Sequence, residues 1–134
     1  MKIEKIMLTG KILASTIIML GIVHDTATFS PLIQDDLTCL NPGALQAVIY
    51  MSLICGTSLI LSGILLLTLL KSVKKLPSTT LSLLIIGIFL FFNGILSVVC
   101  MPDNPFAWIT LILNAGIFVV TLVLHQKLKS LMIT

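Results

Sequence analysis

Few side chains in this 134-residue chain have any capacity for chemistry, and most of them interrupt apolar stretches. His24 and Asp25 form an ionisable pair near the end of one stretch, Asn93 and Asn114 punctuate two others, and Gln46 and Tyr50 enter a fourth near its start. A polar group in hydrocarbon is costly unless it finds a partner, so each of these six marks either a contact between helices or a binding site. Helical spacing groups them: Gly21, His24, Asp25 and Thr28 share one stripe, Gln46, Tyr50, Leu53 and Thr57 a second, and Thr110, Asn114, Ile117 and Thr121 a third. Asn93 and Ser97 lie four apart on a further segment. The chemistry predicted is recognition: an outward-facing polar cup, with His24 and Asp25 at its edge, for a lipid-like or other small apolar molecule. The alternative reading of Asn93, Asn114 and the hydroxyls is interhelical hydrogen bonding, and both readings stand at this point.

Metal and redox chemistry find less support. His24 and His125 belong to opposite ends of their segments, nearly a full ~30 Å hydrocarbon thickness apart, and so do not ligate one haem iron. No haem, quinone or metal motif is present, and none is predicted. The three cysteines show no CxxC spacing. Cys39 and Cys100 are predicted to share one side of the membrane and to form a disulfide there, with Cys55 inside the second span. Nucleotide-loop, metallohydrolase and serine-nucleophile motifs are lacking, which argues against an enzyme. The absence of a deep carboxylate weakens a small proton-coupled transporter.

These residues are carried by a chain that is 57% hydrophobic and 10% charged, with a mean hydropathy of +1.19. A soluble domain has roughly 25% charged residues, so the apolar excess faces lipid. The net charge of +3 comes from eight lysines without arginine, in short clusters, a pattern that argues against nucleic acid as a partner. Four apolar runs, at about residues 10–29, 45–70, 81–101 and 106–124, each approach the ~20 residues needed to cross a bilayer as a helix. They occupy a single membrane domain, residues 1–134. Lys2, Lys5 and Lys11 precede or open the first run, Lys71, Lys74 and Lys75 link the second to the third, and Lys127 and Lys129 follow the fourth. All fall on one side, which the positive-inside rule makes cytoplasmic, with both termini in and the chain in the bacterial inner membrane. A lysine-flanked core at residues 12–23 is also compatible with a cleaved signal, although His24 and Asp25 are a poor approach to a cleavage site.

Short connections predict an all-α up-down-up-down bundle of four transmembrane helices. Asn41-Pro42 and Asn104-Pro105 each place Asn at an N-cap and Pro at the first helical position. Together with Gly21-Ile22-Val23-His24 against Gly94-Ile95-Leu96-Ser97, they suggest two tandem helical hairpins, or convergence on one capping solution. Close helix approach is expected at Ser52, Gly56, Gly87, Gly94, Ala115 and Gly116.

Gly10-Lys11-Ile12-Leu13 leading into Gly21-Ile22-Val23-His24, the pair Asn93-Gly94, and the Cys100-Met101-Pro102 exit resemble a family of small four-helix bacterial membrane proteins of unassigned function. More distantly, the layout is similar to the DoxX-like membrane proteins. That resemblance implies a membrane subunit of a quinone-linked oxidoreductase as the alternative to an accessory or interaction protein. In either case membrane lipid, a small apolar ligand, a membrane-protein partner or a second copy are the expected associates.

Overall fold

The computed structural model describes residues 3–133, and the side chains of all of these except 32, 36 and 131–133. Lys2 therefore lies outside the described residues. The regular structure of the described residues is helical: α1 (Ile3–Thr28), α2 (Pro31–Asp36), α3 (Pro42–Ser72), α4 (Thr79–Cys100) and α5 (Pro105–Ile133). Four of these, all but α2, are long and apolar enough to cross a membrane, which makes this a multi-pass membrane protein.

The helices outrun the predicted spans at the lysine end. α1 is helical from Ile3, ahead of residue 10, and α5 continues past residue 124 to Ile133. Hydropathy reads where hydrocarbon begins, whereas a helix continues through the membrane edge wherever good helix formers such as Leu and Lys follow. At the opposite, far end, Asn41 accepts a hydrogen bond from Ala44 N at 2.9 Å and Asn104 accepts one from Phe106 N at 2.9 Å, so Asn caps the start of both α3 and α5. The segment expected as a loop at residues 30–41 holds α2, which Pro31 opens. Gln34 Nε2 ties it down by donating to Thr28 O at 2.7 Å.

α1 packs mainly on α3 and α4 mainly on α5, with α1–α5 and α3–α4 as the lesser faces, so the helices form a ring with α1 and α4 on one diagonal. Antiparallel order follows from contacts such as Gly10 with Leu70 and Gly21 with Gly56, or Gly87 with Thr121 and Gly94 with Leu111. At the lysine end Lys74 Nζ reaches Glu4 Oε1 at 3.1 Å.

A seven-residue period holds the ring together. Met7, Ala14, Gly21 and Thr28 are buried on α1, Thr80, Gly87 and Gly94 on α4, and Ala107, Asn114 and Thr121 on α5, while Gly56, Gly63 and Leu70 repeat the interval on α3. Larger residues fill the intervening positions, among them Ile17, Leu59, Leu66, Leu83, Leu90, Ile117 and Leu124. Such a period wraps helices in a left-handed supercoil. The small residues set the closest approaches: a Cβ on Gly21 would lie 2.7 Å from Gly56 O, and one on Gly94 2.9 Å from Leu111 Cα. Gly116 is a correction, because a Cβ there would meet only Leu13 Cδ1 at 3.4 Å, an ordinary contact. Ala14, Gly21 and Gly63 take the role expected of it.

The two hairpins share this period but not their length. Gly21 meets Gly56, well inside α3, whereas Gly94 meets Leu111, soon after α5 begins. Measured from these contacts, Pro42 starts about two helical turns farther out than Pro105. α3 therefore overhangs the far end.

Candidate functional site

The apolar core fills the bundle towards the lysine end and stops short of the far end. There the helices diverge around a partly open cavity of about 340 Å³. Leu20, Val23, Ala27, Ile33, Leu59, Met101, Phe106 and Ala107 give it mainly apolar walls, and His24, Thr28, Ser52, Ser97 and Thr110 place polar atoms among them. Among the described residues no Lys, Arg, Asp or Glu lines it. Every long helix contributes, and Ser30 and Ile33 bring the start of α2 over one side.

On the α1–α3 side the polar groups satisfy one another. Thr28 Oγ1 lies 2.6 Å from Ser52 Oγ, which lies 3.2 Å from His24 Nε2, while Thr28 Oγ1 also donates to His24 O at 3.0 Å. Thr28 has one proton. Given to the His24 carbonyl, it leaves Ser52 to donate to Thr28, and His24 Nε2–H to donate to Ser52. Ser52 beside His24 superficially matches a nucleophile with its base, but in this arrangement the imidazole donates to Ser52 instead of accepting its proton. The surrounding backbone N–H groups of α3 are also consumed by the helix, leaving none for an oxyanion. The arrangement can bind and orient; it is not built for acyl transfer.

On the α4–α5 side the hydroxyls are likewise occupied. Ser97 Oγ donates to Gly94 O at 2.8 Å and lies 3.2 Å from Ala107 O, and Thr110 Oγ1 donates to Phe106 O at 2.8 Å. One turn deeper the pattern changes. Asn114 is 0% exposed, and neither Oδ1 nor Nδ2 has a partner; Asn93 has a buried Oδ1 without one. Cys55 of α3 lines the cavity. Asn114 Cβ packs over Gly94, the neighbour of Asn93, at the point where an added Cβ would be 3.3 Å away. The two amides thus flank one glycine beneath the cavity floor.

The six residues singled out from the sequence do not form one lining. His24 lines the cavity. Asp25 lies outside it, in the α1–α3 seam, where Oδ2 accepts from Thr57 Oγ1 at 3.3 Å and the buried Oδ1 rests against Gly56 without a partner. Gln46 and Tyr50 stand on the overhanging part of α3, exposed, Tyr50 by 66%. The glycines facing α1 rotate α3 so that Ser52, Gly56, Leu59 and Gly63 point inward, roughly one residue away from the stripe expected. Asn93 and Asn114 lie below the cavity rather than on its wall.

The expected Cys39–Cys100 disulfide is also corrected: no bridge joins these residues. Cys39 follows α2, which is held to the end of α1, while Cys100 ends α4 at the diagonally opposite corner. His125 remains remote from His24, its Nδ1 3.1 Å from Thr80 Oγ1 at the lysine end. Among the described residues no group of three or more His, Cys, Asp or Glu is arranged to hold a metal ion.

Thr28, Ser52, Ser97 and Thr110 enter the sequence reading as packing residues or stripe members, and Cys55 only as a thiol inside the second span, none of them as site residues. The usable signal was the seven-residue interval, which puts His24, Ser52, Ser97 and Thr110 on inward faces alongside the glycines. Set against protein-family models, curated proteins and solved structures, the chain has no match in any of the three.

Proposed function

We propose that this protein is an accessory membrane protein that holds a small, largely apolar molecule from the surrounding bilayer in the cavity at its far end. One observation carries the reading: about 340 Å³ of space bounded mostly by hydrocarbon, with hydrogen-bonding groups confined to a few positions, is the composition of a ligand site rather than of a packed core. The volume is at the lower end of small-molecule sites, so it accommodates one short chain or ring system, with the remainder of a longer molecule in lipid. The lysine distribution supports an inner-membrane location with both termini cytoplasmic, which turns the cavity towards the outer leaflet.

The test is native mass spectrometry of protein purified in mild detergent. The expected result is a stoichiometric bound species in the wild type that is lost in Ala107→Phe, a substitution directed into the cavity. Occupancy unaffected by Ala107→Phe would overturn the reading. An organic extract with its absorption spectrum identifies the quinone-linked alternative that the DoxX-like resemblance implies: stoichiometric quinone favours that reading. Orientation is checked by reporter fusions, expected to read cytoplasmic after Lys75 and at the C-terminus, and external after Asp36.

A further inference from the structure

At the lysine end, the seam between α1 and α3 carries more positive charge than the chain neutralises. On α1, Glu4, Lys11, Ile18 and Asp25 recur at seven-residue intervals and so share one face. Three of the four meet α3: Glu4 pairs with Lys74, Ile18 packs against Gly63, and Asp25 accepts from Thr57. The fourth, Lys11, therefore faces α3 as well. Its register falls midway between the Glu4–Lys74 and Ile18–Gly63 contacts, and its neighbour Gly10 rests on Leu70. On that stretch of α3 one face runs Leu67, Lys71, Lys74, in steps of four and three residues. Lys11 and Lys71 thus stand within about one helical turn of each other across the seam.

Neither of these two lysines has a hydrogen bond or ion pair with any described residue. Among the described residues Glu4 is the only Asp or Glu at this end, and Lys74 already holds it. Lys11 is half-buried on a helix apolar enough to cross a membrane, and it stands seven residues, or about 10 Å, farther in than the Glu4–Lys74 pair. A cation at that depth calls for a counter-charge, and a long lysine side chain reaches one at the membrane edge. We propose that Lys11 and Lys71, with Lys74 beside them, hold the phosphate of an anionic phospholipid from the adjoining leaflet. Three lysines against one carboxylate match a headgroup of net negative charge, and they leave no anion for the ammonium of a zwitterionic one. The phosphate is a lipid's rather than a solute's because the seam continues inward from Lys71 past Ile64 and Leu61, both exposed, which gives an acyl chain an apolar track.

The test is native mass spectrometry of the full chain in mild detergent, titrated with phosphatidylglycerol or phosphatidylcholine bearing identical acyl chains, and with inorganic phosphate. Expected is preferential retention of phosphatidylglycerol, weakened roughly fivefold in Lys11→Gln and again in Lys71→Gln, as loss of one lysine beside an anionic headgroup predicts. Lys129→Gln makes the same change of charge on α5 and leaves retention unchanged, as does Ala107→Phe in the far-end cavity. Glutamine has nearly the helix propensity of lysine, so these variants fold, and equal melting temperatures check it. Lys11→Arg keeps the charge and retains the lipid; a loss shared by Lys11→Arg overturns the assignment. Equal retention of the two lipids, or an equal loss in Lys129→Gln, overturns the site. Displacement of phosphatidylglycerol by inorganic phosphate at equal concentration overturns its assignment to a lipid.

Discussion

The two hairpins of the bundle are built alike and finished differently. α1–α3 and α4–α5 both bring their helices together on small residues at seven-residue intervals, Gly21 on Gly56 in one and Gly94 on Leu111 in the other. In the first hairpin the polar groups facing the cavity are closed upon themselves through His24, Ser52 and Thr28. In the second, the hydroxyls turn to their own backbone while Asn114, equally internal, has no partner. One hairpin therefore uses polarity for cohesion and the other leaves it unpaired. The comparison is not complete symmetry with one exception, because Asp25 Oδ1 is also unpartnered; it sits in the seam beside exposed Thr57, away from the cavity.

The sharpest way to break the shared packing is to add volume where backbones touch. Gly21→Leu places a side chain against Gly56 O, and Gly94→Leu places one against Leu111 Cα, so each is expected to cost about 3 kcal/mol or more and to lower the yield of monodisperse protein in detergent. Gly116→Ala, with only ordinary contact at Leu13, is expected to stay within about 0.5 kcal/mol. Thermal melts of the three rank them, and a tolerated Gly94→Leu would show that the α4–α5 contact is not equivalent to the α1–α3 contact.

The difference in polarity predicts opposite signs for two substitutions at inward-facing polar residues. Ser52→Ala removes a bonded hydroxyl from His24 and Thr28 and is expected to cost about 1 kcal/mol. Asn114→Leu removes two unpartnered atoms and is expected to leave stability unchanged or raised. Equal destabilisation by both would erase the contrast between the hairpins.

Smaller effects test the position of the cavity itself. Cys55 lines it and is half-buried, whereas Cys100 is exposed, so a small maleimide is expected to label Cys100 first and Cys55 more slowly, with Ala107→Phe slowing Cys55 further. Separate mass-spectrometric quantification of the two peptides reads this. Least affected should be Glu4→Gln, which removes an ion pair whose side chains are 58% and 77% exposed; a change within about 0.5 kcal/mol is expected in thermal melts. Tyr50→Phe on the exposed overhang of α3 belongs with it.

How the site was legible in the sequence depended on what fixed each residue. His24 was recognisable because an ionisable side chain at membrane depth is rare whatever surrounds it. The Asn41 and Asn104 caps were recognisable because capping is a local property of Asn-Pro. Gln46 and Tyr50 were misplaced because counting residues from the Asn41-Pro42 start gives depth along α3 but neither its rotation nor how far it extends past its neighbours. The registration is decided by Gly21 on Gly56 and Gly94 on Leu111, contacts between residues far apart in the chain. The Cys39–Cys100 bridge failed for a related reason: sharing a side of the membrane says nothing about sharing a corner of the bundle.

By itself the sequence determined that the chain crosses a membrane as four helices, the Asn-Pro caps at which α3 and α5 start, and which end carries the lysines. These follow from composition and from interactions within a few residues: hydrocarbon leaves a backbone no option but helix, and caps and charges act locally. Only the tertiary structure decided which face of each helix turns inward and which polar atoms find partners. Rotation and registration depend on the sum of many small side-chain contacts between helices, and a slip of one residue turns a helix by about 100° and carries a side chain such as Tyr50 from the core to the lipid.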